Sequence, residues 1–294
     1  MQYTTYFIVA KVRIIFAFQP NHKKMTSAIF ITGASTGIGK ATAKLFSAKG
    51  WKVIATMRHP EKEPELTLLD NITLLPLDVT DPAQIKETVE RAISAGSIDV
   101  VFNNAGYGLG GPLEAITDEQ IVKEINTNLL GVIRVTKSFI PYFREKKGGL
   151  FISTTSIGGL VAFPLFSVYH ATKWALEGWS ESMAFELNPF GIGIKTVSPG
   201  STKTDFASRS LELATHPAYK DQLENVIAFF TGPAAMEKLS DPEQIANVVY
   251  EAATDGKDRL RYVAGADAQA LYAQRLQVGD EVFRKGIVQT FFGS

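Results

Sequence analysis

Cysteine is absent from all 294 residues, which excludes disulfides, thiol nucleophiles and thiolate metal sites. Histidine is scarce: His22, His59, His170 and His216 lie far apart and show no metal-ligand spacing, so no metal site is expected. Neither sign of charge is in excess. Thirty basic and thirty acidic residues balance to a formal net charge of zero, leaving no electrostatic footprint for nucleic acid. Long uncharged apolar runs are also missing. The apolar stretch Tyr6–Phe18 is interrupted by Lys11 and Arg13, too short and too charged to span a membrane. Its positive residues lie inside the apolar run rather than before it, which does not suit a secretory signal. No acid precedes Glu61, so a transit peptide is conceivable, but Met25-Thr26-Ser27-Ala28 reads as a natural beginning. Residues 1–24 are therefore expected to be an extension outside the fold, residues 25–294 a single domain, and the location cytoplasmic. Repeats, low-complexity stretches and linkers are lacking as well.

What is present is a chain that is 45% hydrophobic and long enough for one large α/β domain with a well-buried sheet. Strands are expected at Ala28–Thr32, Lys52–Thr56, Ile72–Pro76, Val100–Asn103, Leu150–Thr155 and Gly193–Val197. Helices are expected at Gly37–Lys49, Pro82–Ala95, Asn128–Lys146 and Val168–Asn188. Asp81-Pro82 and Asp241-Pro242 pair an N-cap with a proline at the first helical position, a helix start signal. Alternating strand and helix predicts a doubly wound parallel sheet of about seven strands with helices on both faces, the Rossmann fold. In such a sheet ligands bind at the carboxyl ends of the strands.

Two local patterns carry chemistry. Gly33-Ala34-Ser35-Thr36-Gly37-Ile38-Gly39 joins the first strand to a helix with Ile38, Ala41, Leu45 and Phe46 on one face. A glycine turn lets the backbone approach a pyrophosphate, and the helix N-terminus offers unpaired N–H groups to it. The spacing is Gly-x-x-x-Gly-x-Gly rather than the common Gly-x-Gly-x-x-Gly; by itself such a cluster also fits a plain turn. Farther on, Tyr169 and Lys173 are four residues apart, thirteen residues after Ser156. On a helix, positions i and i+4 share a face. Unit charges about 4 Å apart interact by roughly 4 kcal/mol at an effective dielectric of 20. That predicts a phenol pulled from about 10 toward 7, able to exchange a proton at neutral pH. Alone, the pair equally describes a half-exposed helix face. His170 would point to another face and is read as structural.

Together these elements resemble the short-chain dehydrogenase/reductase family, from about Ala28 to about Val263. The resemblance rests on the Thr32–Gly39 turn, Leu77-Asp78-Val79, Asn103-Asn104-Ala105-Gly106 and Asn126-Thr127-Asn128-Leu129-Leu130-Gly131. Ser156 with Tyr169 and Lys173, and Ser198-Pro199-Gly200 ending in Thr204, complete it. It implies that Gly33, Ser35, Thr36, Gly37, Ile38 and Gly39 hold the cofactor's pyrophosphate. Asp78 and Val79 would meet the adenine, and Asn104, Ala105 and Gly106 would border the adenosine side. Pro199, Gly200, Thr202 and Thr204 would lie at the nicotinamide. Tyr169 would donate the proton, Ser156 would hold the substrate oxygen, and Lys173 would lower the Tyr169 pKa and bond the nicotinamide ribose. Asn128 would hold a water that relays protons; Asn126, the competing asparagine, reads better as a helix cap.

The cofactor is expected to be NADP(H). NAD enzymes of this fold place an acid at the end of the second strand, where this chain has Met57 followed by Arg58. An arginine can grip a 2′-phosphate bidentately, with Ser35 as a second donor; Arg58 is otherwise an ordinary exposed loop arginine. The substrate is expected to be a carbonyl or alcohol, bulky and apolar, against Tyr107-Gly108-Leu109, Ile157–Phe166 and the stretch with Phe206, Phe229 and Phe230. The Ala55-Thr56-Met57-Arg58 and Arg261-Tyr262-Val263 segments lean toward the branch of hydroxysteroid- and retinol-dehydrogenase-like reductases. A cofactor-sensing regulator without turnover and an NAD-dependent alcohol dehydrogenase are the competing readings. The wide apolar arc of Val168–Asn188 is expected to make a homodimer or homotetramer, unless the segment ending Phe291-Phe292 covers it.

Overall fold

A computed structural model describes residues 27–204 and 210–293; the expected extension 1–24 and Phe206 lie outside them. Seven strands form one parallel sheet: β1 (Ala28–Thr32), β2 (Lys52–Met57), β3 (Ile72–Pro76), β4 (Val100–Asn103), β6 (Gly149–Thr154), β7 (Ile192–Pro199) and β9 (Arg261–Ala264). Their spatial order is β3-β2-β1-β4-β6-β7-β9. Between β5 (Gly108–Gly110) and β8 (Leu211–Leu213) there is a second, short parallel pairing. The order reverses between β1 and β4, the point at which a doubly wound sheet opens a crevice.

Side-chain alternation explains the layers. Phe30 of β1 points into one buried cluster with Phe139, Phe143 and Phe151. Its neighbours Ile29 and Ile31 point into the opposite one, with Phe46, Ile245 and Val249. The first cluster is covered by α2 (Pro82–Ala95), α4 (Gly131–Lys146) and α5 (Ser167–Leu187), the second by α1 (Gly37–Ala48) and α7 (Pro242–Thr254). Strands buried on both faces read as near-continuous apolar runs, as β1 does. The helix starts are chemical. Asp81 accepts from Ala83 N at 2.8 Å and Gln84 N at 3.1 Å, while Asp241 and Gln244 form a capping box. No helix of the described residues is long and apolar enough to cross a membrane.

The structure departs from the expected helices in one informative place. The helix expected from Asn128 begins instead with a wide π turn, Asn126–Leu130, which continues a helix not anticipated, α3 (Asp118–Ile125). Such single-turn widenings inside a helical run recur at functional sites. A further helix, α6 (Lys220–Thr231), precedes α7, and the chain ends in α8 (Ala266–Val278) and α9 (Asp280–Phe292). Ala268 and Phe283 of these last two helices pack on Ile157, Leu160 and Val161. The apolar arc of α5 divides between inside and outside. Leu176, Met183 and Leu187 are buried, Arg275 of α8 lies 4.8 Å over the Trp174 ring, and Phe185 remains 75% exposed.

Candidate active site

The crevice begins at the glycine turn. Gly33 adopts φ +68°, and a side chain on it would strike Ala105 Cα at 2.8 Å. On Gly39 one would run into the Gly33 carbonyl and within 2.6 Å of Asn104 Nδ2. The turn is therefore packed directly against the end of β4. Thr32 Oγ1 accepts from Asn104 N at 2.9 Å and Ala105 N at 3.0 Å, and Asn104 Nδ2 returns a bond to Gly33 O at 3.1 Å. Thr154 Oγ1 donates to Asn104 Oδ1 at 3.1 Å, extending the brace to β6. Thr36, the N-cap of α1, makes no side-chain cap bond, so the first-turn N–H groups have no side-chain acceptor at that position. A phosphate fits these donors.

The remaining cofactor candidates fall around this turn. Ala34 N donates to Thr56 O at 3.0 Å, which sets the turn, with exposed Ser35, beside the end of β2, where Arg58 is also exposed. Met57 is buried in the core. Reading Met57 as the cofactor-facing position is therefore corrected: alternation turns it inward and leaves Arg58 as the first outward side chain. Asp78 is half-buried, its Oδ1 accepting from Thr80 N and Oγ1, and Val79 packs where Gly131 leaves room. From the far side, Thr202 Oγ1 donates to Gly200 O at 3.1 Å, following Pro199 at the end of β7. The Thr204 side chain comes within 3.3 Å of where a Gly37 Cβ would sit. Two loops far apart in the chain thus face each other.

Ser156, Tyr169, Lys173 and Asn128 converge beside them. Ser156 caps a short turn, its Oγ accepting from Gly158 N at 3.0 Å, and it also hydrogen-bonds Tyr169. Lys173 is buried, with Nζ donating to Thr154 O at 3.0 Å and lying 5.7 Å from the Tyr169 ring centroid. A Cβ on Gly106 would sit 3.0 Å from Asn128 Oδ1 and 3.8 Å from Lys173 Nζ, so the amide and the ammonium flank the same glycine.

Electrostatics overturn one expectation. Burial pushes the Tyr169 phenol up to about 12; its hydrogen bond with Ser156 pulls the other way, and the charge of Glu124 adds to the rise. The anticipated fall toward 7 does not occur, because the ammonium is turned to Thr154 O and is itself pushed down to about 8 by burial. Desolvation of both partners outweighs the helical i,i+4 attraction.

Asn128 is likewise more constrained than expected. Nδ2 donates both hydrogens, to Tyr107 O at 2.7 Å and Glu124 Oε1 at 2.9 Å, and Oδ1 accepts from Tyr107 N at 3.0 Å. An amide so engaged has no proton left to give a water, so a water-holding role for this side chain as donor is corrected; the side chain fixes the Tyr107 backbone. Glu124 is a site residue the sequence reading missed. Its only sequence signal is a spacing of four from Asn128, one helical turn.

His170 is structural, as expected. Its Nε2 accepts from Phe163 N at 2.9 Å, which leaves Nδ1 to donate to Gly158 O at 2.6 Å. Burial lowers its pKa, and the neutral ring pins both ends of the 157–163 loop. Above that loop, Phe163 and Phe166 meet Phe230 at 5.4 and 6.0 Å, and Phe229 meets Phe291 at 4.6 Å. Phe166 also lies 6.4 Å from the Tyr169 ring. An aromatic wall drawn from three segments therefore stands beside the phenol.

A glycine turn braced to β4, opposite a Ser–Tyr–Lys cluster at the strand ends, defines a nicotinamide-dependent oxidoreductase. A family model described as short chain dehydrogenase matches residues 27–213, and the chain belongs to that family. An uncharacterized oxidoreductase of Schizosaccharomyces pombe is 39% identical over 228 residues, 77% of this chain and 96% of that protein. A short-chain dehydrogenase from Streptomyces avermitilis superposes with a TM-score of 0.80 at 30% identity, covering 90% of this chain and 96% of that one. The structure of ElxO with NADP bound superposes with a TM-score of 0.71 at 29% identity, covering 84% and 100%.

Proposed function

We propose that the protein is an NADP(H)-dependent reductase of bulky, apolar carbonyl compounds. The observation that carries this reading is the convergence of Ser156, Tyr169 and Lys173 beside the braced glycine turn. The N-terminus of α1 and the turn would hold the pyrophosphate, Arg58 and Ser35 the 2′-phosphate, and the Pro199–Thr204 loop the nicotinamide end. NADPH supplies the hydride when bound. A carbonyl that gains hydride at carbon develops negative charge on oxygen, and a site that stabilises this needs donors aimed at that oxygen. Ser156 Oγ–H orients the oxygen, and Tyr169 Oη–H gives it the proton. Lys173 would return a proton to Tyr169 and would hold the nicotinamide ribose. The ElxO complex supports NADP as the cofactor, and the Phe163–Phe166–Phe230 wall supports an uncharged, bulky substrate.

Following NADPH and NADH absorbance against a panel of aldehydes, ketones and quinones tests the reading. Turnover of aromatic ketones or quinones with NADPH preferred is the expected result; NADPH binding without turnover of any carbonyl would favour the regulator instead. Assembly into a two-fold dimer through α5 is part of the proposal, motivated by exposed Phe185. A monomer by light scattering at micromolar concentration would remove it.

A further inference from the structure

Glu124 closes α3 with no exposed surface. One carboxyl oxygen, Oε1, accepts from Asn128 Nδ2 at 2.9 Å. The other, Oε2, is buried with the neutral Tyr107 hydroxyl as its polar neighbour, a weak hydrogen-bonding contact that brings no positive charge to the carboxylate. A carboxylate taken out of water needs a compensating charge. The second acid that acts on Lys173, Glu177, is already committed. It bonds Thr155, Thr196 and Ser198 and pairs with Arg261 at 2.9 Å. Glu124 has no such cation bonded to it among the described residues, whereas Asn128 joins it directly to the Gly106 niche where Lys173 Nζ sits.

We propose that Glu124 is the buried counter-charge of Lys173, a positioning residue that works through Asn128 to hold the charged ammonium in the Gly106 niche. The assignment concerns the same site as the proposed reductase but does not need turnover to be tested. The groups that face Glu124 are Tyr107 from the segment after β4, Tyr169 and Lys173 from α5, and Glu212 of β8, which is itself paired with Lys123. Burial raises the Glu124 carboxyl to about 7, against the pull of Lys173. It lowers the Lys173 ammonium to about 8, against the charges of Glu124 and Glu177. Each charge therefore supports the other against its own burial: a proton taken up by Glu124 removes the partner of Lys173, and a proton lost by Lys173 removes the partner of Glu124. Because the two groups interact, these are steps of the pair rather than of either residue alone.

The test is a pH titration of the full chain without cofactor, its lysines labelled with carbon-13 at Cε and followed by NMR. The Lys173 signal is assigned by its loss in Lys173→Met. The wild-type signal should show two inflections, the two protonation steps of the Glu124–Lys173 pair. Glu124→Gln keeps the acceptor for Asn128 Nδ2 but removes the charge. It should abolish the first inflection and move the second down by about one pH unit. A Lys173 titration in Glu124→Gln within roughly a fifth of a pH unit of wild type would overturn the proposal, since a purely structural clamp is preserved in that variant. If Glu124→Gln does not fold, the wild-type curve decides: a single inflection overturns the counter-charge, and two support it. In NADPH-dependent reduction of phenanthrenequinone, the alkaline limb of the Glu124→Gln pH profile should move down with the lysine. Wild-type protein that reduces no carbonyl would sink the proposed reductase while leaving the NMR titration of the Glu124–Lys173 pair fully interpretable.

Discussion

Tyr169→Phe should abolish carbonyl reduction while leaving NADPH affinity nearly unchanged. The substitution removes one oxygen from a half-buried ring whose edge packing with Phe166 and His170 survives. The lost function is proton donation, an effect of about 10²–10⁴-fold for a positioned general acid. The measurement is kcat for a substrate found in the carbonyl panel, with NADPH affinity from fluorescence in parallel. Retention of more than a tenth of wild-type kcat would show that another group supplies the proton. The comparison with Lys173→Ala adds resolution. That variant should lose both kcat and cofactor affinity, because the proposed roles of the ammonium touch the phenol and the ribose together. A phenol pushed up to about 12 by burial also has a consequence for direction. Tyr169 is protonated across the neutral range, ready to donate in reduction, and alcohol oxidation should demand a more alkaline pH than reduction does.

Arg58→Ala should weaken NADPH about ten- to hundredfold, since a charge-assisted hydrogen bond to a phosphate is lost. NADH, which has no 2′-phosphate, should be little affected. Arg58→Asp should go further and invert the preference, because a carboxylate repels the phosphate and can accept from a free 2′-hydroxyl. The substitution belongs at position 58 rather than 57, where a carboxylate would be forced into the core beside Leu66 and Ala55. kcat/KM for both cofactors, at one ionic strength because salt screens such contacts, reads the outcome. A wild-type preference for NADH would remove Arg58 from the proposed cofactor grip.

Particular residues show how far the chain could be read directly. β1, β3 and β4 run over Ala28–Thr32, Ile72–Pro76 and Val100–Asn103, the bounds expected from their apolar runs. The Asp81 cap set the start of α2 in the same way. α3 was missed because its cue, the Thr117–Gln120 capping box, introduces only two turns before the π widening breaks the helical period. Met57 was misplaced because β2 extends one residue farther than its apolar pattern suggested, to Met57 itself. Ser156, Tyr169 and Lys173 were readable as residue types at a spacing, and the family resemblance added Asn128 to them. The state of those groups was not.

Amino-acid order alone determined the parallel sheet, the glycine turn and the pairing of Tyr169 with Lys173 on one helix face. These follow from local rules: side-chain alternation, φ freedom at glycine, and helical stacking of i and i+4. Only the tertiary structure decided that Tyr169 is pushed up rather than down, that Asn128 is locked to Tyr107, and that Asn128 links Glu124 to the niche of Lys173. It also assembled the aromatic wall from Phe163, Phe230 and Phe291. The physical reason is that burial and field strength are set by everything packed around a group. For these side chains that surrounding comes from segments many turns away in the chain, whose distances no local spacing encodes.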